Sequence, residues 1–159
     1  MLDMIERQTR LTINQWKIIV AAILGDMLDF FDFYLIGYVL AFIVGPWKLT
    51  FGQSTVMLLS AGVGSIVGAV AFGWMADRLG RKPAVIVSCT LCCICAGSVA
   101  LVPDGDWLLF SALRFLVGVG YGGAEASQFP VIVEATPAAR RTLITSLICF
   151  PAGLGLVAA

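Results

Sequence analysis

The stretch Gly73-Trp-Met-Ala-Asp-Arg-Leu-Gly-Arg-Lys-Pro83, GWMADRLGRKP, packs four charged residues and two glycines into eleven positions, between two long runs that carry no charge. Charge confined to so short an interval marks a passage from an apolar medium into water and back. A connection between two membrane-spanning helices has this form.

Composition agrees. The chain of 159 residues is 60% hydrophobic and 13% charged, with a mean hydropathy of +0.97, whereas soluble domains carry about 25% charged residues. The formal net charge of zero gives no reason to expect nucleic acid as a partner. Asp3, Glu6, Arg7, Arg10 and Lys17 precede an apolar run that is too long for a signal peptide and lacks a small-residue cleavage site, so the N-terminus is expected to stay on the chain.

Apolar runs of about 18 residues or more span the hydrocarbon core as helices. They place spans at about 16–44, 53–75, 84–102 and 107–135, with a fifth from 142 to 159, after a short segment 1–15. The fold expected is an all-α polytopic bundle. Turns fall at GPWKLTFG, DRLGRKP, PDGD and TPAARR. Eight of the ten Lys and Arg residues then share one side: Arg7, Arg10 and Lys17, then Arg78, Arg81 and Lys82, then Arg140 and Arg141. By the positive-inside rule that side, and with it segment 1–15, is cytoplasmic. Trp16, Trp47, Trp74 and Trp107 each lie at a span end, where Trp favours the headgroup level.

Small residues mark candidate packing faces, because they let membrane helices approach closely. The second span has two such stripes, Ser60-Gly64-Gly68 and Ala61-Ser65-Ala69-Gly73, and the third has Cys89-Cys93-Gly97. Cys89, Cys92, Cys93 and Cys95 cluster in sequence but point around a helix, and the chain has no histidine. Packing is therefore favoured over a metal or redox site, and no cofactor is implied. Without histidine there is no Ser–His dyad, no His-ligated zinc and no imidazole shuttle, and the chain reads as non-enzymatic.

Charge inside a span is costly, about 2.5–3.5 kcal/mol at a helix centre, and so is informative. Asp26, Asp29 and Asp32 lie at i, i+3 and i+6 of the first span, within an arc of about 120°. Arg114 and Glu125, eleven positions apart in the fourth span, are nearly eclipsed and about 16 Å apart along one face. Charges that merely neutralise one another in a packed bundle are the plainer alternative, but that role does not require three carboxylates on one face.

These features together carry a family resemblance. Gly73, Asp77, Arg78, Gly80, Arg81 and Lys82 resemble the signature loop of the major facilitator superfamily, which lies on the cytoplasmic side between the second and third helices. RFLVGVGYGG, with Arg114, Gly118, Gly120 and Gly122, resembles its fourth-helix motif, and VEATPAARR, with Glu134, Pro137, Arg140 and Arg141, resembles the boundary after that helix. LDFFDFYLIG, with Asp29 and Asp32, is similar to the first-helix element of aromatic-acid:proton and metabolite:proton symporters. The superfamily fold has twelve helices in two halves, of which this chain holds four and most of a fifth. CFPAGLGLVAA lacks the Gly-Pro pair of the antiporter signature.

The resemblance implies a secondary transporter, a proton symporter of a small organic anion, in a plasma (inner) membrane. The chain would supply its N-terminal part and would not transport alone. Asp29 and Asp32, with Asp26 and Glu125, become candidates for proton or substrate coupling. Arg114 would pair with a carboxylate in one state and with the substrate anion in another. Partners are the substrate, protons, the lipid bilayer and the further helices of the same transporter. Gly73 would admit a close neighbour, Gly80 would allow the tight turn, and the basic residues would hold the turn in the cytoplasm. Asp77 would latch the two halves by facing a helix N-terminus, the alternative being a carboxylate satisfied within its own loop. A sugar or polyol porter, and a non-transporting membrane subunit or sensor, are the alternative functions.

Overall fold

The computed structural model of the chain describes residues 12–135, apart from the side chains at 14, 18, 29, 33 and 131–135. Most of the N-terminal segment and the fifth run, with Arg140 and Arg141, lie outside the described residues. Within them are α1 (Ile13–Ile43), α2 (Phe51–Leu79), α3 (Arg81–Val99) and α4 (Trp107–Ala135). Among the described residues, α2, α3 and the Trp107–Pro130 part of α4 are long and apolar enough to cross a membrane. The 31 residues of α1 extend about 46 Å at 1.5 Å per residue.

Helix starts follow from local chemistry. The Gln15 N–H donates to Thr12 Oγ1 at 3.4 Å, and the Thr12 N–H donates to Gln15 Oε1 at 2.8 Å. Thr50 and Gln53 repeat the reciprocal pair before α2, at 3.5 and 2.9 Å. At α4 the Asp106 carboxylate accepts from the Leu109 N–H at 3.1 Å. Each arrangement satisfies first-turn donors that have no partner inside the helix.

The exit from α1 is equally defined. Past Ile43 the chain continues through a turn in which the Lys48 N–H donates to the Gly45 carbonyl and the Leu49 N–H to the Val44 carbonyl, both at 3.2 Å. Lys48 has φ +48°. These are the paired bonds of a Schellman motif, with lysine in the left-handed position that glycine usually fills. Leu49 packs back beside Ile43 in a cluster centred on the buried Ile36, Met57 and Phe110.

The connection expected over DRLGRKP contracts to a single residue. Asp77 and Arg78 complete the last turn of α2, Arg81 and Lys82 open α3, and only Gly80 lies between. Gly80 has φ +95° and ψ 158°, and its N–H donates to the Ala76 carbonyl. That region of backbone space is open essentially to glycine alone. Pro83, the third residue of α3, sits in the first turn, where its missing N–H costs no hydrogen bond. The second span thus ends later and the third begins earlier than apolar content suggests, because helix termini tolerate charge in water.

The chain divides into two compact units, one of them Ile36–Gln128 and the other holding α1 up to Leu35 and α4 from Phe129. In the first unit, α2 and α4 meet backbone to backbone. A Cβ added at Gly64 or Gly68 would overlap the carbonyl of Phe115 or Val119, and one added at Gly118 or Gly122 would overlap that of Ala61 or Ser65. Both small stripes of α2 therefore take part, with one exception. Gly73 has nothing within 4 Å, so the close neighbour expected there is absent among the described residues, whereas the residue before it, Phe72, packs its ring under Gly123 of α4.

The α3 stripe also differs from expectation. Cys89 and Cys93 are exposed and Gly97 has open space around it, whereas Ala84, Ser88 and Cys95 are buried and Cys92 lies against Gly120 of α4. Positions 84, 88, 92 and 95 form an equally small helical stripe. Gly120 decides between the two by admitting the backbone of Cys92. Ser88, fully buried, donates to the Val85 carbonyl at 3.0 Å, which satisfies its hydroxyl without a partner helix.

In the second unit, Ile19 and Ala22 of α1 are buried, and Asp26 and Asp32 are half-buried.

Candidate functional site

Arg114 is the buried ion of the first unit. It lies two turns into α4 and is 6% exposed. One turn earlier, Phe110 presents its ring with the centroid 5.9 Å from the guanidinium carbon. Trp47, in the turn after α1, meets Phe110 edge-on, with centroids 6.1 Å apart and planes at 89°. A buried guanidinium is costly, and an aromatic face offsets part of that cost through its quadrupole. Trp47 and Trp107, read above as headgroup anchors, both pack on the Phe110 cluster, while Trp16 and Trp74 are exposed.

Glu125, nearly eclipsed with Arg114, has a different environment. It is exposed and lines an open groove of about 310 Å³ with Ser65, Ile66 and Ala69 of α2 and Gly122 and Ala126 of α4. The single polar face expected for α4 is thus covered at Arg114 and open at Glu125. In α1 the helix runs unbroken through Asp26, Asp29 and Asp32, which places the three on one side of the backbone; the Asp29 side chain lies outside the described residues.

At the α2–α3 junction the guanidinium carbon of Arg78 sits 4.4 Å from the Trp74 ring centroid, a stacked i, i+4 pair at the helix end. Lys82 is exposed and Arg81 half-buried. Asp77 is exposed, and among the described residues its carboxylate makes no hydrogen bond or ion pair. It is not satisfied within its own turn.

The family model described as the Major Facilitator Superfamily matches residues 22–159 of the chain. The chain belongs to the Major Facilitator Superfamily. It is accordingly an integral membrane protein with an all-helical fold, in a family of transporters and not of enzymes. It is 32% identical over 161 aligned positions to the niacin transporter NiaP of Acinetobacter baylyi, which covers 99% of this chain and 36% of that protein. It is 29% identical to the 4-hydroxybenzoate transporter PcaK of Pseudomonas aeruginosa (85% and 30% covered). It is 31% identical to the sialic acid transporter NanX of Escherichia coli (77% and 30%). The chain spans about a third of these relatives' own length.

In this superfamily member the alternate glycines of α4 have a packing meaning. Steps of two residues turn a helix by about 200°, so Gly118 and Gly122 share one side and Gly120 faces nearly opposite. The first pair admits α2 and Gly120 admits α3. Glu134 lies in α4, its side chain beyond those described. Phe110 was not singled out in the sequence, and Trp47 was read there only as a headgroup anchor. The i, i+4 spacing of Phe110 and Arg114 was the available signal for the first; Trp47 owes its place to tertiary packing.

Proposed function

We propose that the full-length protein is a secondary active transporter that couples proton entry to uptake of a small organic anion, with Arg114 as the anion-binding cation. The observation that carries this reading is a guanidinium held 6% exposed within a membrane-spanning helix of a major facilitator chain. Buried intramembrane charge is retained where it serves a pathway. Niacin, 4-hydroxybenzoate and sialic acid, named for the relatives, share a carboxylate, the group a planar guanidinium binds with two parallel hydrogen bonds.

Asp29 and Asp32, with Asp26, are the proposed proton-coupling groups. The arrival of a substrate anion near these carboxylates changes the charge balance around them, which is how anion binding and proton binding become coupled. Asp77 is proposed to latch onto a part of the transporter beyond the described residues, with the α2–α3 turn, the Glu134–Arg141 boundary and the N-terminus on the cytoplasmic side. Uptake of labelled niacin and 4-hydroxybenzoate by proteoliposomes, driven by an inward proton gradient, tests this. Arg114→Gln should abolish binding, and Asp32→Asn should uncouple uptake from the gradient. Full uptake by both variants would refute the assignment.

A further inference from the structure

We propose that Phe110 is a positioning residue for Arg114, and that Trp47 holds Phe110 in that role. The proposal goes beyond the function above and, where it concerns substrate affinity, rests on that reading. Three observations converge. The Arg114 guanidinium carbon lies over the Phe110 ring, 5.9 Å from its centroid. Both side chains are buried, at 6% and 3% exposure. Trp47 abuts the same ring edge-on at 89°.

An arginine side chain has four rotatable bonds and loses much entropy when ordered. The negative face of the Phe110 ring attracts the guanidinium and so limits where it can sit. The aromatic platform thereby restricts the depth at which the guanidinium settles. Trp47 contributes because its own place is set by backbone geometry. It precedes Lys48, whose left-handed conformation and the bonds from Lys48 to Gly45 and Leu49 to Val44 close the turn. The edge-on contact then limits rotation of the Phe110 ring. Backbone turn, Trp47, Phe110 and Arg114 form one mechanical series.

Two measurements test the proposal separately from the function it serves. In the chain reconstituted in nanodiscs, Phe110→Leu should speed phenylglyoxal modification of Arg114 about five- to tenfold, the change expected when a desolvated cation–π contact is lost. Phe110→Tyr and Phe110→Trp should stay within about twofold of wild type, since either restores the π face. In the full-length transporter, Phe110→Leu should raise KM for niacin by a similar factor with kcat little changed, and should add nothing in an Arg114→Gln background. Equal effects of Leu and Tyr, or a wild-type modification rate in Phe110→Leu, would overturn the positioning role. Should Arg114→Gln leave niacin binding intact while the modification rates behave as stated, the positioning stands and the anion-binding reading fails. Trp47→Ala should reproduce the Phe110→Leu modification rate; a wild-type rate would remove Trp47 from the series.

Discussion

Gly68 of α2 lies so close to Val119 of α4 that a Cβ would overlap the Val119 carbonyl. The neighbour is backbone and cannot rotate away, so the two helices must separate to admit any side chain. Gly68→Ala should therefore destabilise the folded chain by about 1–3 kcal/mol, the range for overpacking a close contact. Gly62→Ala and Gly73→Ala, at positions with nothing within 4 Å, should be neutral or slightly stabilising through helix propensity. Unfolding in mixed micelles titrated with SDS would check the contrast. Equal losses at all three positions would mean that the close approach is not what holds α2 to α4.

Lys48 offers a test of opposite sign. Its φ of +48° costs an L-residue about 1–2 kcal/mol relative to glycine. Lys48→Gly should recover about 1 kcal/mol, less a few tenths for the greater freedom of glycine in the unfolded chain. Lys48→Ala should recover none, because the strain resides in the Cβ. A stabilised alanine variant would point to the lysine charge instead.

The connection at Gly80 shows how far the sequence could be read. That GWMADRLGRKP joins two spans was plain from its charges, but apolar content could not locate the helix ends. Helices run on through charged residues as long as those stay exposed, as Asp77, Arg78 and Lys82 do here. Better end signals were present: Thr12-x-x-Gln15 and Thr50-x-x-Gln53 are capping boxes, and reading them would have set both starts within one residue. Small residues identified α2 as a packing helix, yet they could not choose between two equivalent stripes on α3. That choice belongs to Gly120 on another helix. The buried charge of Arg114 stood out in the sequence because charge in a span is costly, whereas Trp47 became part of the Arg114 surroundings only through the tertiary fold.

Gly80 itself should be intolerant of substitution. Its φ of +95° with ψ of 158° lies where a Cβ costs about 1–3 kcal/mol, and one residue cannot share the strain with neighbours in two helices. Gly80→Ala should lower stability by that amount and loosen the Arg78–Trp74 stack, seen as a shift in Trp74 fluorescence. A Gly80→Ala variant with unchanged unfolding and emission would show that the junction has room to relax.

If the full-length protein transports as proposed, Asp77→Asn should slow turnover about tenfold while leaving affinity for the transported anion within about twofold, as expected for a residue that biases a conformational equilibrium. Asp77 is exposed and its carboxylate has no hydrogen bond or ion pair among the described residues, so the asparagine amide gives up no contact among them. Loss of affinity in proportion to rate would place Asp77 near the substrate and remove it from the latch.

The 159 residues alone should insert into a bilayer and not transport. The groove beside Glu125 is lined by Ser65, Ala69, Gly122 and Ala126 and stands open. Small residues gain little from lipid tails and much from an apposed helix, so this surface suits packing better than bare hydrocarbon contact. A carboxylate on such a face is costly in lipid unless it takes a proton or meets a cation. The chain spans about a third of its relatives' length, and alternating access needs a site closed from both sides in turn. Proteoliposomes holding only this chain should therefore show no uptake of niacin or 4-hydroxybenzoate with or without a proton gradient, and Glu125→Gln should raise the folded yield of the isolated chain. Gradient-driven accumulation by these residues alone would overturn the prediction, and an unchanged yield for Glu125→Gln would mean that the groove carboxylate is already accommodated.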